Sequence, residues 1–126
     1  MEEAFGCDRC WVGDADRTWE LRRKLPIRAE LVDDSHFIVT MLSCEGCGQR
    51  YISILVEQVD WVDGDDPQYW SFMPVTEAEA DVLQASGRAG LAARLEEVAP
   101  GRQSLRVDYP KGGPQRIYWG RGLSAH

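Results

Sequence analysis

All four cysteines of this chain sit in two Cys-x-x-Cys pairs, Cys7/Cys10 and Cys44/Cys47. That partition leaves no cysteine over and describes one tetrahedral metal site with four cysteine ligands, so two distant tight turns must meet in space. Two thiolates three residues apart on a turn can face one ion. Two such turns supply four soft ligands at about 2.3 Å, a set that suits zinc or iron. Zinc is the default ion for a structural site of this composition, and iron stays compatible with the same ligands. Gly48 completes the second knuckle, because glycine accepts the positive φ that lets backbone curl beneath a sulfur. The first pair lacks that feature: Trp11 follows Cys10, and the next glycine is Gly13.

Other cysteine chemistries fit less well. A disulfide framework belongs to secreted chains. The opening Met1-Glu2-Glu3-Ala4-Phe5-Gly6 lacks the basic and apolar regions of a signal peptide, so a cytoplasmic location with reduced thiols is expected. A thioredoxin-like pair needs a strand before it and a helix after it. Cys7 stands too near the start for the strand, and Cys47 leads into β-branched sequence.

With 126 residues, 44% of them apolar and 28% charged, the chain reads as one soluble globular domain over residues 1–126 with its own core. No apolar stretch approaches the about 20 residues of a membrane span. Thr18 to Leu25 reads as a weak strand before Pro26. Residues 27–32 alternate, with Ile27, Ala29 and Leu31 on one face. Phe37 to Leu42 forms a strand into the second knuckle, and Gln49 to Val59 a strand out of it. On the latter, Ile52, Ile54 and Val56 face one way and Tyr51, Ser53 and Leu55 the other. Asp63-Gly64-Asp65-Asp66-Pro67 breaks the pattern as a loop, and the aromatic run up to Pro74 continues it. Thr76-Glu77-Ala78-Glu79 is a capping box that starts a helix over about residues 77–85, with Gly87 to end it. A second helix spans about residues 90–98. Residues 104–109 and 115–119 make a C-terminal hairpin around Pro110-Lys111-Gly112-Gly113-Pro114.

The fold class is therefore α+β: an antiparallel sheet, a short helical pair at about 76–99 and a hairpin at about 104–120. Over residues 5–59 the chain resembles the zinc-ribbon superfamily, through Cys7, Cys10, Cys44, Cys47 and Gly48. The resemblance implies a strand–knuckle–strand core closed by a structural zinc ion, and little about activity. In that core the first knuckle, carrying Cys7, would anchor only a terminal segment.

Catalytic parts are scarce. No nucleophile elbow, P-loop or dinucleotide fingerprint occurs, and the two histidines are His36 and His126. Four thiolates would close the metal site to substrate, so a non-catalytic protein is expected. The acidic loop fails as an EF-hand, since Gly64 is misplaced and no glutamate follows at the right distance. The basic and aromatic segment at 17–28, with Arg17, Trp19, Arg22, Arg23, Lys24 and Arg28, suits nucleic acid. The net charge of −7 weighs against that reading. The favoured expectation is a protein partner, itself basic, held through Asp60, Asp63, Asp65 and Asp66 beside Tyr69 and Trp70, with the chain as inhibitor or adaptor.

Overall fold

A computed structural model describes residues 5–34, 36–57, 67–110 and 113–123, with Arg88 and Ala89 described by backbone alone. Among the described residues six strands form one antiparallel sheet in strict sequence order: β1 (Ile27–Asp34), β2 (Phe37–Ser43), β3 (Arg50–Glu57), β4 (Gln68–Val75), β5 (Gln103–Tyr109) and β6 (Arg116–Arg121). Three helices accompany it: α1 (Ala15–Arg22), α2 (Glu77–Ala85) and α3 (Gly87–Glu97). No helix among the described residues is long and apolar enough to cross a membrane.

The sheet is covered on both faces, which explains the near-continuous apolar runs of its central strands. One face holds Val39, Met41, Ile52, Ile54, Met73 and Val75 and is closed by Leu83 of α2 and by Leu91 and Leu95 of α3. The other holds Leu42, Tyr51, Phe72, Leu105 and Val107 and is closed by Cys10 of the first knuckle and Trp19 of α1. The alternation expected in β3 is present: Ile52 pairs across with Met41 and Met73, and Tyr51 with Leu42 and Pro74.

Three expectations need correction. Residues 18–22 are helical, not extended. Asp14 caps α1, its carboxylate accepting from the Arg17 amide at 3.1 Å, and the Thr18 hydroxyl donates to the Asp14 carbonyl at 2.9 Å. The buried side of α1 includes Arg22 beside Trp19 and Leu21, so apolar spacing alone did not reveal a helix. The aromatic run is strand β4, not loop. Pro74 fits there because it lies beyond the last β4–β5 pair, Phe72 with Leu105. Its carbonyl accepts from Arg102 at 3.0 Å. In β1 the register shifts twice, between Ile27 and Ala29 and between Glu30 and Val32, so Val32 is buried while Ile27 is 58% exposed.

The helical segment matches its signals closely. The Thr76 amide donates to the Glu79 carboxylate at 2.8 Å, and the Glu79 amide to the Thr76 hydroxyl at 3.1 Å. Gly87 at φ +69° turns the chain from α2 into α3, which begins three residues before the expected Gly90.

Candidate metal centre

The turn 44–48 joins β2 to β3 as a strand–knuckle–strand unit. The Cys44 amide donates to the Gln49 carbonyl at 2.9 Å, and the Gly48 amide to the Cys44 carbonyl at 2.8 Å. Gly48 takes φ +78°, as the sequence requires. The first knuckle closes similarly, with the Cys10 and Trp11 amides donating to the Cys7 carbonyl at 3.1 and 2.9 Å. Its glycine stands before the pair: Gly6 has φ +70°, and a Cβ there would lie 2.7 Å from the Cβ of Trp11 and 2.9 Å from the Cys10 sulfur.

The two turns bring four sulfurs within 4.8 Å of one another. The Cys7–Cys10, Cys7–Cys44 and Cys10–Cys47 sulfur separations are each 3.8 Å. A regular tetrahedron with metal–sulfur bonds of about 2.3 Å has edges of about 3.8 Å, so the cage has the size of one thiolate-bound ion. A disulfide would hold the sulfurs at about 2.05 Å, far inside these separations. Cys10 and Cys44 are buried, Cys7 is partly buried and Cys47 is exposed.

The surroundings act on the sulfurs in opposite directions. The Tyr51 hydroxyl, fully buried, donates to the Cys10 sulfur at 3.0 Å, and the Cys7 amide donates to the same atom at 3.2 Å. Burial pushes the Cys10 thiol up to about 12, against the pull of Tyr51. At Cys44 burial also works upward, but the amides of Cys47 and Gly46 outweigh it and bring the thiol down to about 7. Burial raises the Cys47 thiol as well. The Tyr51 phenol is pushed far up, first by burial and then by its bond to Cys10, so it remains a donor throughout the neutral range. A cation among these groups would bind in exchange for protons.

Gln49 ties the two knuckles to the sheet. Its carbonyl oxygen accepts from the Gly6 amide at 3.2 Å, and its amide nitrogen donates to the carbonyls of Arg50 and Val75 at 2.9 and 2.8 Å. The first knuckle is no terminal appendage. Trp11 lies 5.7 Å from Tyr51, 5.8 Å from Phe72 and 5.1 Å from Trp119, between ring centroids. Sequence reasoning missed Gly6, Gln49 and Tyr51 as parts of the centre. Gly6, directly before Cys7, was the one local signal; the roles of Gln49 and Tyr51 depend on tertiary placement.

The other candidate residues are placed differently. Asp60, Asp63, Asp65 and Asp66 lie outside the described residues. Tyr69 and Trp70 are both half-buried on β4 and, as neighbours in a strand, point to opposite faces. Trp70 meets Trp19 edge-on at 5.4 Å and lies 4.7 Å from the Arg22 guanidinium. Tyr69 and Trp70 nevertheless both contribute to the lining of one cavity of about 250 Å³, with Arg106, Asp108 and Tyr118. The basic segment 17–28 is dispersed. Arg17 pairs with Glu20 at 3.1 Å, and Arg28 donates to the Ser43 hydroxyl at 2.7 Å. Arg22 turns inward, donating to the Ser53 hydroxyl at 2.7 Å, and burial lowers its pKa to about 10. Only Arg23 and Lys24 remain as a free, exposed pair there, among the described residues.

No protein-family model, no curated protein and no solved structure matches this chain.

Proposed function

We propose that this is a non-catalytic domain in which one structural zinc ion, held by Cys7, Cys10, Cys44 and Cys47, clamps the N-terminal segment onto the sheet, and which acts by binding another protein. The observation that carries the zinc reading is the cage of four sulfurs, three of its edges 3.8 Å and all within 4.8 Å, a closed all-thiolate donor set. Such a set leaves no position for substrate, which favours a structural ion over a catalytic one. When bound, zinc supplies cross-linking, and Gln49 and Tyr51 hold the ligands in place.

The setting of His36 supports the non-catalytic reading. That imidazole is exposed and faces Glu57 at 3.1 Å on the outside of the β2–β3 hairpin. The inward turn of Arg22 and the pairing of Arg17 favour a protein partner over nucleic acid, because they remove much of the phosphate-binding stripe. The acids Asp60, Asp63, Asp65 and Asp66 would speed encounter with a basic partner.

Elemental analysis of protein purified under reducing conditions tests the metal reading. One zinc per chain is expected. A folded protein without metal, or one carrying iron with its visible thiolate absorption, would overturn it. Fluorescence anisotropy with generic RNA and DNA tests the partner reading, which micromolar binding at physiological salt would overturn.

A further inference from the structure

The two edges of the sheet differ. β1 is bulged twice and carries Glu30, Asp33 and Asp34, devices that discourage another strand from pairing. β6, the opposite edge, has none of them. It pairs with β5 through six consecutive residues without a register shift, from Asp108 with Arg116 to Gln103 with Arg121. No described strand lies on its other side. Its sequence, Arg116 to Arg121, contains two arginines and no acid.

Two cavities meet at the end of this edge nearest the metal centre. One, of about 670 Å³, is lined by Phe5, Trp11, Arg102, Gln103 and Arg121 among others. The other, of about 400 Å³, is lined by Gln103, Trp119, Gly120 and Arg121. They share Gln103 and Arg121, and no acidic side chain lines either among the described residues. In a chain of net charge −7 this is a local inversion of sign. Arg102 is fixed by Glu79 at 2.6 Å and lies 4.5 Å from the Phe5 ring. Arg121 donates to the Gly101 carbonyl at 2.9 Å and has no carboxylate partner among the described residues. Arg116 lies over the Tyr118 ring at 5.3 Å; it stands across the hairpin from Asp108, whose carboxylate accepts from the Tyr118 hydroxyl at 2.9 Å. Arg106 donates to the carbonyls of Arg121 and Gly122, so among the described residues the stretch of edge backbone left to a further strand is 116–120.

We infer that β6 and the adjoining cleft form a second docking surface, which receives an extended acidic segment of a protein as a seventh strand. Backbone hydrogen bonds along 116–120 would supply affinity independent of sequence. Arg116 and Arg121, five residues apart on an unbroken strand, point to opposite faces of the sheet, so acidic side chains at the two ends of the incoming strand would meet them, and an apolar side chain would lie against Phe5 and Trp11. This deepens the protein-binding reading and rests on it, since the metal-held knuckle is what places Phe5 and Trp11 at the cleft.

The probe is a hexapeptide with glutamate at both ends and valine between, so that its acids are spaced as Arg116 and Arg121 are, titrated into ¹⁵N-labelled, zinc-loaded protein whose metal content is measured on the same sample. Shift changes confined to residues 116–121 and the indoles of Trp11 and Trp119 are expected, with affinity falling as salt rises. Arg121→Gln keeps a donor for Gly101 while removing the charge, and Arg116→Gln lies on the same edge; each should weaken binding about threefold. Loss of folding in one variant leaves the other to decide. A zinc-loaded protein with no shifts, with shifts elsewhere, with equal response to a lysine–valine hexapeptide, or with a ten-nucleotide oligothymidine bound in the cleft in preference to the peptide would overturn the inference while leaving the metal reading intact. Self-association through β6 without peptide binding would also overturn it. Protein lacking zinc as purified would instead sink the earlier reading.

Discussion

Tyr51→Phe isolates one hydrogen bond at the centre. The ring is fully buried and stacks on Phe72 at 4.7 Å with an interplanar angle of 23°, so phenylalanine fills the same space. Only the donation from the hydroxyl to the Cys10 sulfur, at 3.0 Å, is lost. If Cys10 is a metal-bound thiolate, that bond goes to a charged acceptor and contributes about 1.5–3 kcal/mol. The loss corresponds to roughly 10- to 100-fold in metal affinity, the range seen when an outer partner of a metal ligand is removed. If Cys10 is a neutral thiol, sulfur is a weak acceptor and the cost stays under about 1 kcal/mol. Competition titration with a chromophoric chelator, on zinc and on cobalt as a spectroscopic stand-in, measures the affinity. Thermal melts with and without metal measure the stability. Equal metal affinity in wild type and Tyr51→Phe would refute the role assigned to this bond. A destabilisation identical in metal-loaded and metal-free protein would show that the hydroxyl serves packing alone.

Gly6→Ala should lower the denaturant midpoint and weaken metal binding, since φ +70° alone costs an alanine about 1–2 kcal/mol and its Cβ would press on Trp11 and Cys10; an unchanged midpoint would contradict this. Cys7→Ser should destabilise the fold about as much as Cys44→Ser in calorimetry, because the first knuckle covers Tyr51 and Phe72 and structural zinc supplies on the order of 10 kcal/mol. A mild effect at Cys7 alone would return that knuckle to the status of a terminal anchor. Glu79→Gln should cost about 1.5–3 kcal/mol at neutral pH by weakening the pair with Arg102. Burial alone would raise the Glu79 carboxyl, but Arg102 and the Thr76 cap hold it below its ordinary 4.5, so its contribution is present above that value and is lost as pH falls through the folded-state pKa. Urea melts of both proteins should therefore converge in acid, and a gap that persists there would refute the assignment.

The four-sulfur cage was legible because its signal is local. Spacing and identity of four cysteines settle which residues must meet, whatever the intervening chain does. The capping box at Thr76 and the hairpin ending in β6 were legible for the same reason. β4 was not, because two covered faces erase the alternation that marks a strand and Pro74 mimics a breaker whose cost is removed by the end of the β4–β5 ladder. α1 was hidden by Arg22: a guanidinium on the buried side of a helix, resting near the rings of Trp19, Trp70 and Phe72, looks in sequence like part of a basic surface. The same substitution of cation for aliphatic side chain made residues 17–28 resemble a nucleic-acid stripe.

The strand order has a kinetic consequence. Every strand pairs with its neighbour in sequence, so the sheet can zip strand by strand, each step closing a modest loop except β4 to β5, where α2 and α3 intervene. The N-terminal segment reaches furthest: the Cys7–Cys44 approach spans 37 residues, and the bond from the Trp119 indole to the Gly13 carbonyl spans 106. The N-terminal segment therefore has nothing to dock on until β3 to β6 have assembled, and chelation becomes a late event. In stopped-flow refolding, added zinc should leave the major folding phase unchanged and slow unfolding, with the indole of Trp11 reporting a separate, metal-dependent step. A folding rate that scales with zinc concentration would place the knuckles in the nucleus instead.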